Sequence, residues 1–229
     1  MRIPEQSGRV WPHQLALAAA VAAATLAFWP LPAAAPPNAA EIARQVMASP
    51  DVVYSTHVVW ECSARTWERA LDHPLVMGAL WRAYGFAPAY AISGRPDSLH
   101  VFDPTGLVGD AFPCARTTYS VQYLVLGKLN HWAVPVLNKG LAVFAVVWRD
   151  TGSGIDADAT VYVQAGSGIA GLLLRLVRPL LAAHVENRIS HNVRDAQRLV
   201  ADIERDPARV ASRLEGGLRD EFAQAFGGR

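Results

Sequence analysis

The sequence predicts an α+β fold, a curved antiparallel sheet wrapped around one long C-terminal helix. Three observations carry this. Pro179–Asp206 is amphipathic: at 100° per residue Leu181, Val185, Ile189, Val193, Ala196, Leu199, Val200 and Ile203 fill one arc. His184, Arg188, His191, Asp195, Arg198 and Asp202 fill the adjoining arc. The chain before this helix is nearly all strand, with short hairpin-like links that favour antiparallel pairing. A helix this long cannot bury its stripe alone, so the strand-rich segment must supply the partner surface.

The elements follow in order. Pro36–Asn38 is a linker, and Ala39–Ala48 a short helix ended by Ser49-Pro50. Val52–Cys62, rich in Val, Tyr, Thr and Trp, reads as a strand. Ser63 caps a helix through Leu71, with Trp67 and Leu71 four apart on one face. Pro74 starts a second helix, Leu75–Tyr84, ended by Gly85. Short strands follow at Ala89–Ser93 and Leu99–Phe102, then a turn-rich loop over Asp103–Asp110. Longer strands are predicted at Ala115–Leu126, Leu141–Arg149 and Ala157–Gln164, the last two joined by Thr151-Gly152-Ser153-Gly154. Gly166–Arg178 is Leu-rich and leads through Pro179 into the long helix, and Asp206-Pro207 stops that helix. Leu141–Val147 is apolar on both faces, so both faces need a cover. One cover is the long helix or a cavity; the other is the tail helix, a second subunit or the membrane.

Composition bounds the function. The chain has 229 residues, of which 52% are hydrophobic and only 18% charged, against about 25% in ordinary soluble domains. Arg2 and Arg9 precede an apolar run, Leu15–Leu31, and then Pro32-Ala33-Ala34-Ala35. That is the layout of a secretory leader over residues 1–35. It predicts an exported, periplasmic or cell-envelope protein, with cleavage and membrane anchoring both open, since Pro36 would follow the cut. The expected organisation is leader (1–35), linker and short helix (36–50), sheet-and-helix domain (51–206) and tail helix (207–229). Without the leader the chain holds 19 basic and 19 acidic residues. This balance disfavours a nucleic-acid partner, whose binding runs on phosphate neutralisation. The arginines between Arg175 and Arg198 read as a solvated helix face, with an anionic membrane surface as the alternative.

No metalloprotease, nucleophile-elbow, phosphate-loop or clustered-cysteine motif occurs, so no cofactor or metal is expected. Asn192 interrupts the apolar arc, where an unpaired amide costs roughly 1–3 kcal/mol. It needs a strand group, a buried water or a ligand. Tyr119 and Tyr123 share one strand face with Val121 and Val125, which assigns them inward. Trp148 and Tyr162 are further candidates, although period 2 alone does not fix their faces. His57 and His100 lie in strands and read as buried structural histidines. Asp103 and Asp110 flank their loop as an acid–base pair or as amide caps.

Glu61-Cys62-Ser63-Ala64-Arg65-Thr66-Trp67, followed by Leu71-Asp72-His73-Pro74, resembles the START-like, or SRPBCC, superfamily of helix-grip proteins. That superfamily includes polyketide cyclases, dehydrases, lipid-transfer proteins and plant hormone receptors. Thr66 stands where Val is usual, and His73 separates Asp72 from Pro74. The resemblance spans about Asp51 to Arg205 and implies a cavity between sheet and helix. It also implies that loops at one end, here Asp103–Asp110 or Gly166–Leu174, gate that cavity.

These features predict an exported, non-catalytic binder or carrier of a hydrophobic small molecule: a lipid, isoprenoid or polyketide-like compound. Tyr119, Tyr123, Trp148, Tyr162 and Asn192 are its candidate ligand contacts. The alternatives are a cyclase or dehydratase using the same cavity and a cell-envelope interaction protein without a ligand. A disulfide between Cys62 and Cys114, the only two cysteines, is also expected, given an oxidising compartment. It assumes that the first strand lies beside Ala89–Ser93, so that both thiols fall at one edge. Closing a 52-residue separation would contribute roughly 4 kcal/mol. Two independent thiols are the alternative.

Overall fold

The computed structural model describes residues 34–95, 97–103, 107–129, 140–165 and 189–227. Residues 1–33 of the leader, Gly166–Leu174, His184 and Val185 lie outside them. The elements are α1 (Ala39–Ala48), β1 (Val52–Trp60), α2 (Ala64–Asp72), α3 (Pro74–Ala83), β2 (Ala91–Arg95), β3 (Ser98–Phe102), β4 (Leu107–Thr117), β5 (Ser120–Leu129), β6 (Gly140–Asp150) and β7 (Ile155–Ala165). Helix α4 is described over 189–205, and α5 (Pro207–Ala211) and α6 (Gly216–Phe226) follow. All seven strands form one antiparallel sheet in the order β1-β7-β6-β5-β4-β3-β2. The expected α+β arrangement is therefore present.

The first strand is not beside β2. They are the two opposite edges of the sheet, because α2 and α3 carry the chain from one edge to the other. Ser63 starts that crossing, its hydroxyl accepting from the Thr66 N–H at 3.2 Å. Pro74 occupies the first turn of α3, and Gly85, at φ 69°, lets the chain leave it. Helix α3 lies close on β2: a Cβ at Gly78 would come within 2.9 Å of Ile92 Cδ1.

Alternation along the strands gives the sheet two faces. On the concave face, α4 lays Val193, Ala196 and Val200 against Val58, Trp60, Val121, Val146, Trp148 and Ile155. Its polar neighbour His191 is exposed, while Ile189 and Ala196 are half-buried. The convex face is covered over only part of its area. There α1 sets Ala43 and Val46 over Leu124 and Val143, with Leu126, Leu141 and Tyr162 around them. This is the second cover that the two-faced apolar pattern of β6 demands. It is not the tail helix. Helix α6 packs Phe222, Ala225 and Phe226 on Val76 and Leu80 of α3 and on Leu199 and Ile203 of α4. Beyond α1 the convex rows turn polar. Ser55 pairs with Thr160, and Asp156 with Arg149; His57 contacts Asp156 and Asp158. Val59 and Val147, each 56% exposed, lie among these polar residues.

Two sequence expectations fail in one place. The stretch expected as a loop ending at Asp110 and one strand from Ala115 is a hairpin, β4 and β5, with Thr118 and Tyr119 in its turn. No Gly, Asn or Pro marks that turn. Thr117 supplies it instead, its Oγ1 accepting from the Tyr119 N–H at 3.2 Å and lying 2.7 Å from Ser120 Oγ. Asp110 is thus a strand residue. Its carboxylate sits 2.7 Å from Nδ1 of buried His100 on the neighbouring strand. The expected loop acid–base pair with Asp103 is replaced by this cross-strand pair.

The expected disulfide is absent; both cysteines are free. Cys62 is buried in the concave-face cluster with Trp60 and Trp67. Cys114 interrupts the β4 register at the bulge between Pro113 and Ala115, and packs at the margin of the α1 cluster. The sheet separates the two thiols. Burial, with the Glu204 carboxylate adding to it, pushes the Cys62 thiol up to about 12.

Candidate functional site

Cross-strand pairing resolves the concave face into rows. The row through Val58, Ala157 and Trp148 is closed: these residues are 8%, 3% and 4% exposed. The Trp67 ring stands 5.0 Å from Trp60 and 6.0 Å from Trp148, and Arg116 lies 5.0 Å over Trp148 while pairing with Asp72 at 2.9 Å. The next row, Thr56–Ala159–Val146–Val121–Arg116, is nearly as closed, with Val146 at 4% and Val121 at 3%.

Two residues back along β6 the face opens. In the row Tyr54–Val161–Phe144–Tyr123–Pro113, Phe144 is 37% exposed although it points inward. In the following row Val163, Ala142 and Val125 are half-buried, while Val52, Ala111 and Leu99 at its two sides are buried. The row after that is Ala165–Gly140–Gly127–Gly109. Three adjacent strands contribute no side chain there. The backbones also come close: a Cβ on Gly109 would lie 2.8 Å from the Leu126 carbonyl oxygen. Glycine is therefore required for the strand approach, and it leaves the inner floor flat at this end.

The sequence-predicted residues divide unequally. Tyr123 and Trp148 lie on the concave face. The Tyr123 hydroxyl donates to the Leu71 carbonyl at 3.4 Å, and burial, with Asp72 adding and Arg116 opposing, raises its pKa. Trp148 belongs to the closed rows. Tyr119 is 57% exposed in the β4–β5 turn, where its carbonyl accepts from the Trp148 N–H at 2.9 Å. Tyr162 falls on the other parity, half-buried under α1 on the convex side. His57 is likewise convex, and its side chain is 57% exposed rather than buried. Asn192 finds a partner outside the sheet ladder. Its Nδ2 donates to the Tyr90 hydroxyl at 2.6 Å, immediately before β2, while its Oδ1 is buried without a partner. Sequence reasoning missed Tyr54, Phe144 and Tyr90. The alternation of β6 held the signal for Phe144, whose inward parity follows once Val143 is assigned outward.

The sheet histidines and most of its carboxylates face away from this surface. His57, His100, Asp110, Asp156 and Asp158 all have convex parity. Among the described residues no cluster of three His, Cys, Asp or Glu side chains is placed to hold a metal ion. A separate concavity of about 520 Å³ lies on the convex side, between Arg44 and Met47 of α1 and Cys114 and Gln122 of the sheet.

No family model and no curated protein matches this chain. Solved structures do resemble it. A conserved protein from Geobacillus kaustophilus aligns at TM-score 0.48 and 11% identity, over 66% of this chain and 96% of its own. Norcoclaurine synthase of Thalictrum flavum, a point mutant with a transition-state analogue, aligns at 0.46 and 13%, over 67% and 96%. Ara h 8.0201 aligns at 0.45 and 11%, over 66% and 98%. At such identities and TM-scores nothing those proteins bind or catalyse transfers to this chain. Its own strand order and its long helix on the concave face decide the architecture. It is a helix-grip fold.

Proposed function

We propose that the protein binds a hydrophobic small molecule between α4 and the open rows of the concave face. The observation that carries this is the exposure of Phe144, 37% on an inner face whose next inward residue, Val146, is 4% exposed. Water is a poor neighbour for such a ring. Fully burying a Phe side chain is worth about 1.5–3 kcal/mol, and a ligand that covers Phe144, Val161 and Val125 gains part of that at each. The lining supports a binder over an enzyme. The described side chains of these rows are apolar or tyrosine, and the sheet histidines point the other way. Export through the leader over residues 1–35 is part of the proposal. Fractionation of cells producing the full chain tests it, a cytoplasmic product alone being the contrary result.

Mass spectrometry of organic extracts from native protein is the test of binding. An apolar compound should be recovered at close to one per chain, and much less from Phe144→Trp, whose indole occupies the same space. Equal recovery from both proteins would remove the site from the concave face.

A further inference from the structure

Asn192 lies one turn before Ala196 on the face of α4 that meets the sheet. Tyr90, immediately before β2 and with its ring 5.7 Å from Trp81 of α3, locates this amide. Ile92 and Val101 are the β2 and β3 members of the glycine row, so the Asn192–Tyr90 bond sits near the β2 end of that row, where α3 packs on the sheet. There the amide is half satisfied. Nδ2 is used at 2.6 Å, and Oδ1 has no partner. A buried, unmatched amide oxygen costs roughly what Asn192→Leu would recover, so this polar group is a net loss to the fold unless something else uses it. The same residue is only half-buried overall.

Resting on the pocket proposed above, we infer that Asn192, held by Tyr90, is the hydrogen-bond anchor of that pocket, and that the ligand class is an apolar molecule carrying one hydroxyl donor. A small turn of the amide about χ2 brings Oδ1 to the exposed side of the residue. The ligand hydroxyl donates to it while the apolar body covers Phe144 and the glycine floor. A purely hydrocarbon ligand leaves Oδ1 unmatched and binds more weakly.

Two probes of nearly equal shape test this on the full chain: 2-naphthol and 2-methylnaphthalene, measured by equilibrium dialysis. Wild type should prefer 2-naphthol by on the order of tenfold, the scale of one hydrogen bond to a buried acceptor. Asn192→Leu should erase the preference and melt no lower than wild type. Tyr90→Phe, which releases the amide, should reduce the preference and decides the matter if Asn192→Leu does not fold. A preference retained in both variants overturns the anchor and leaves the pocket standing. Failure of wild type to bind either probe overturns the pocket itself.

Discussion

Strand β6 presents Phe144, Val146 and Trp148 to the same face, yet their exposures are 37%, 4% and 4%. The two ends of one face therefore do different work. At the closed end, three tryptophans and the side chains of Ile155, Val121 and Val200 fill the volume between sheet and helix. At the open end, a row of three glycines supplies none. The lesson is that one strand, uniform in hydrophobicity, becomes core or binding surface according to what its lateral neighbours contribute.

The comparison breaks most sharply under substitution at the closed end. Trp148→Ala should destabilise the protein by about 3–5 kcal/mol, as large aromatic truncations in filled cores do, read from guanidinium unfolding. Phe144→Ala should cost less than about 1.5 kcal/mol, because much of that ring is already exposed, while weakening 2-methylnaphthalene binding several-fold. Equal stability losses at the two positions would mean that the two ends do not differ.

The closed end also has a pH signature. Burial opposes ionisation of Glu204, but hydrogen bonds from the Ser63 side chain and backbone and the Thr66 hydroxyl outweigh it and hold the carboxyl below its ordinary value of 4.5. Its ionised form thus favours the folded state at neutral pH. That contribution is lost as the pH falls below about 4.5. Glu204→Gln should lower the melting temperature at pH 7 and flatten its fall between pH 5 and 3; an unchanged acid limb would show that Ser63 and Thr66 do not depend on this carboxylate. Smallest is the thiol count. Unreduced, denatured protein should titrate two thiols, and native protein should react slowly at Cys62, whose pKa is pushed up to about 12.

Much of this was legible in the sequence, where local chemistry decides local structure. Ser63 and Pro74 announce their helices, and the arc of α4 already separates Ala196 and Val200 from His191. The rest depended on partners far away in the chain. The turn at Thr118–Tyr119 carries no turn residue, so the sequence reads the first part of β4 as a loop. The edge order is fixed by how α2 and α3 cross, which neither cysteine reveals. Asn192 was visible as an anomaly, but its partner Tyr90 lies outside every strand. Phe144 was overlooked because exposure on an inner face is a property of three neighbouring strands and of their glycines.

The most direct measurement is a methyl-resolved NMR titration with 2-methylnaphthalene. The account predicts shifts of the Val125, Val161 and Val163 methyls, on the open rows, and quiet methyls at Val58, Val121 and Val146. Shifts confined to Met47 in the convex concavity, or to the exposed Val59 and Val147, would contradict it.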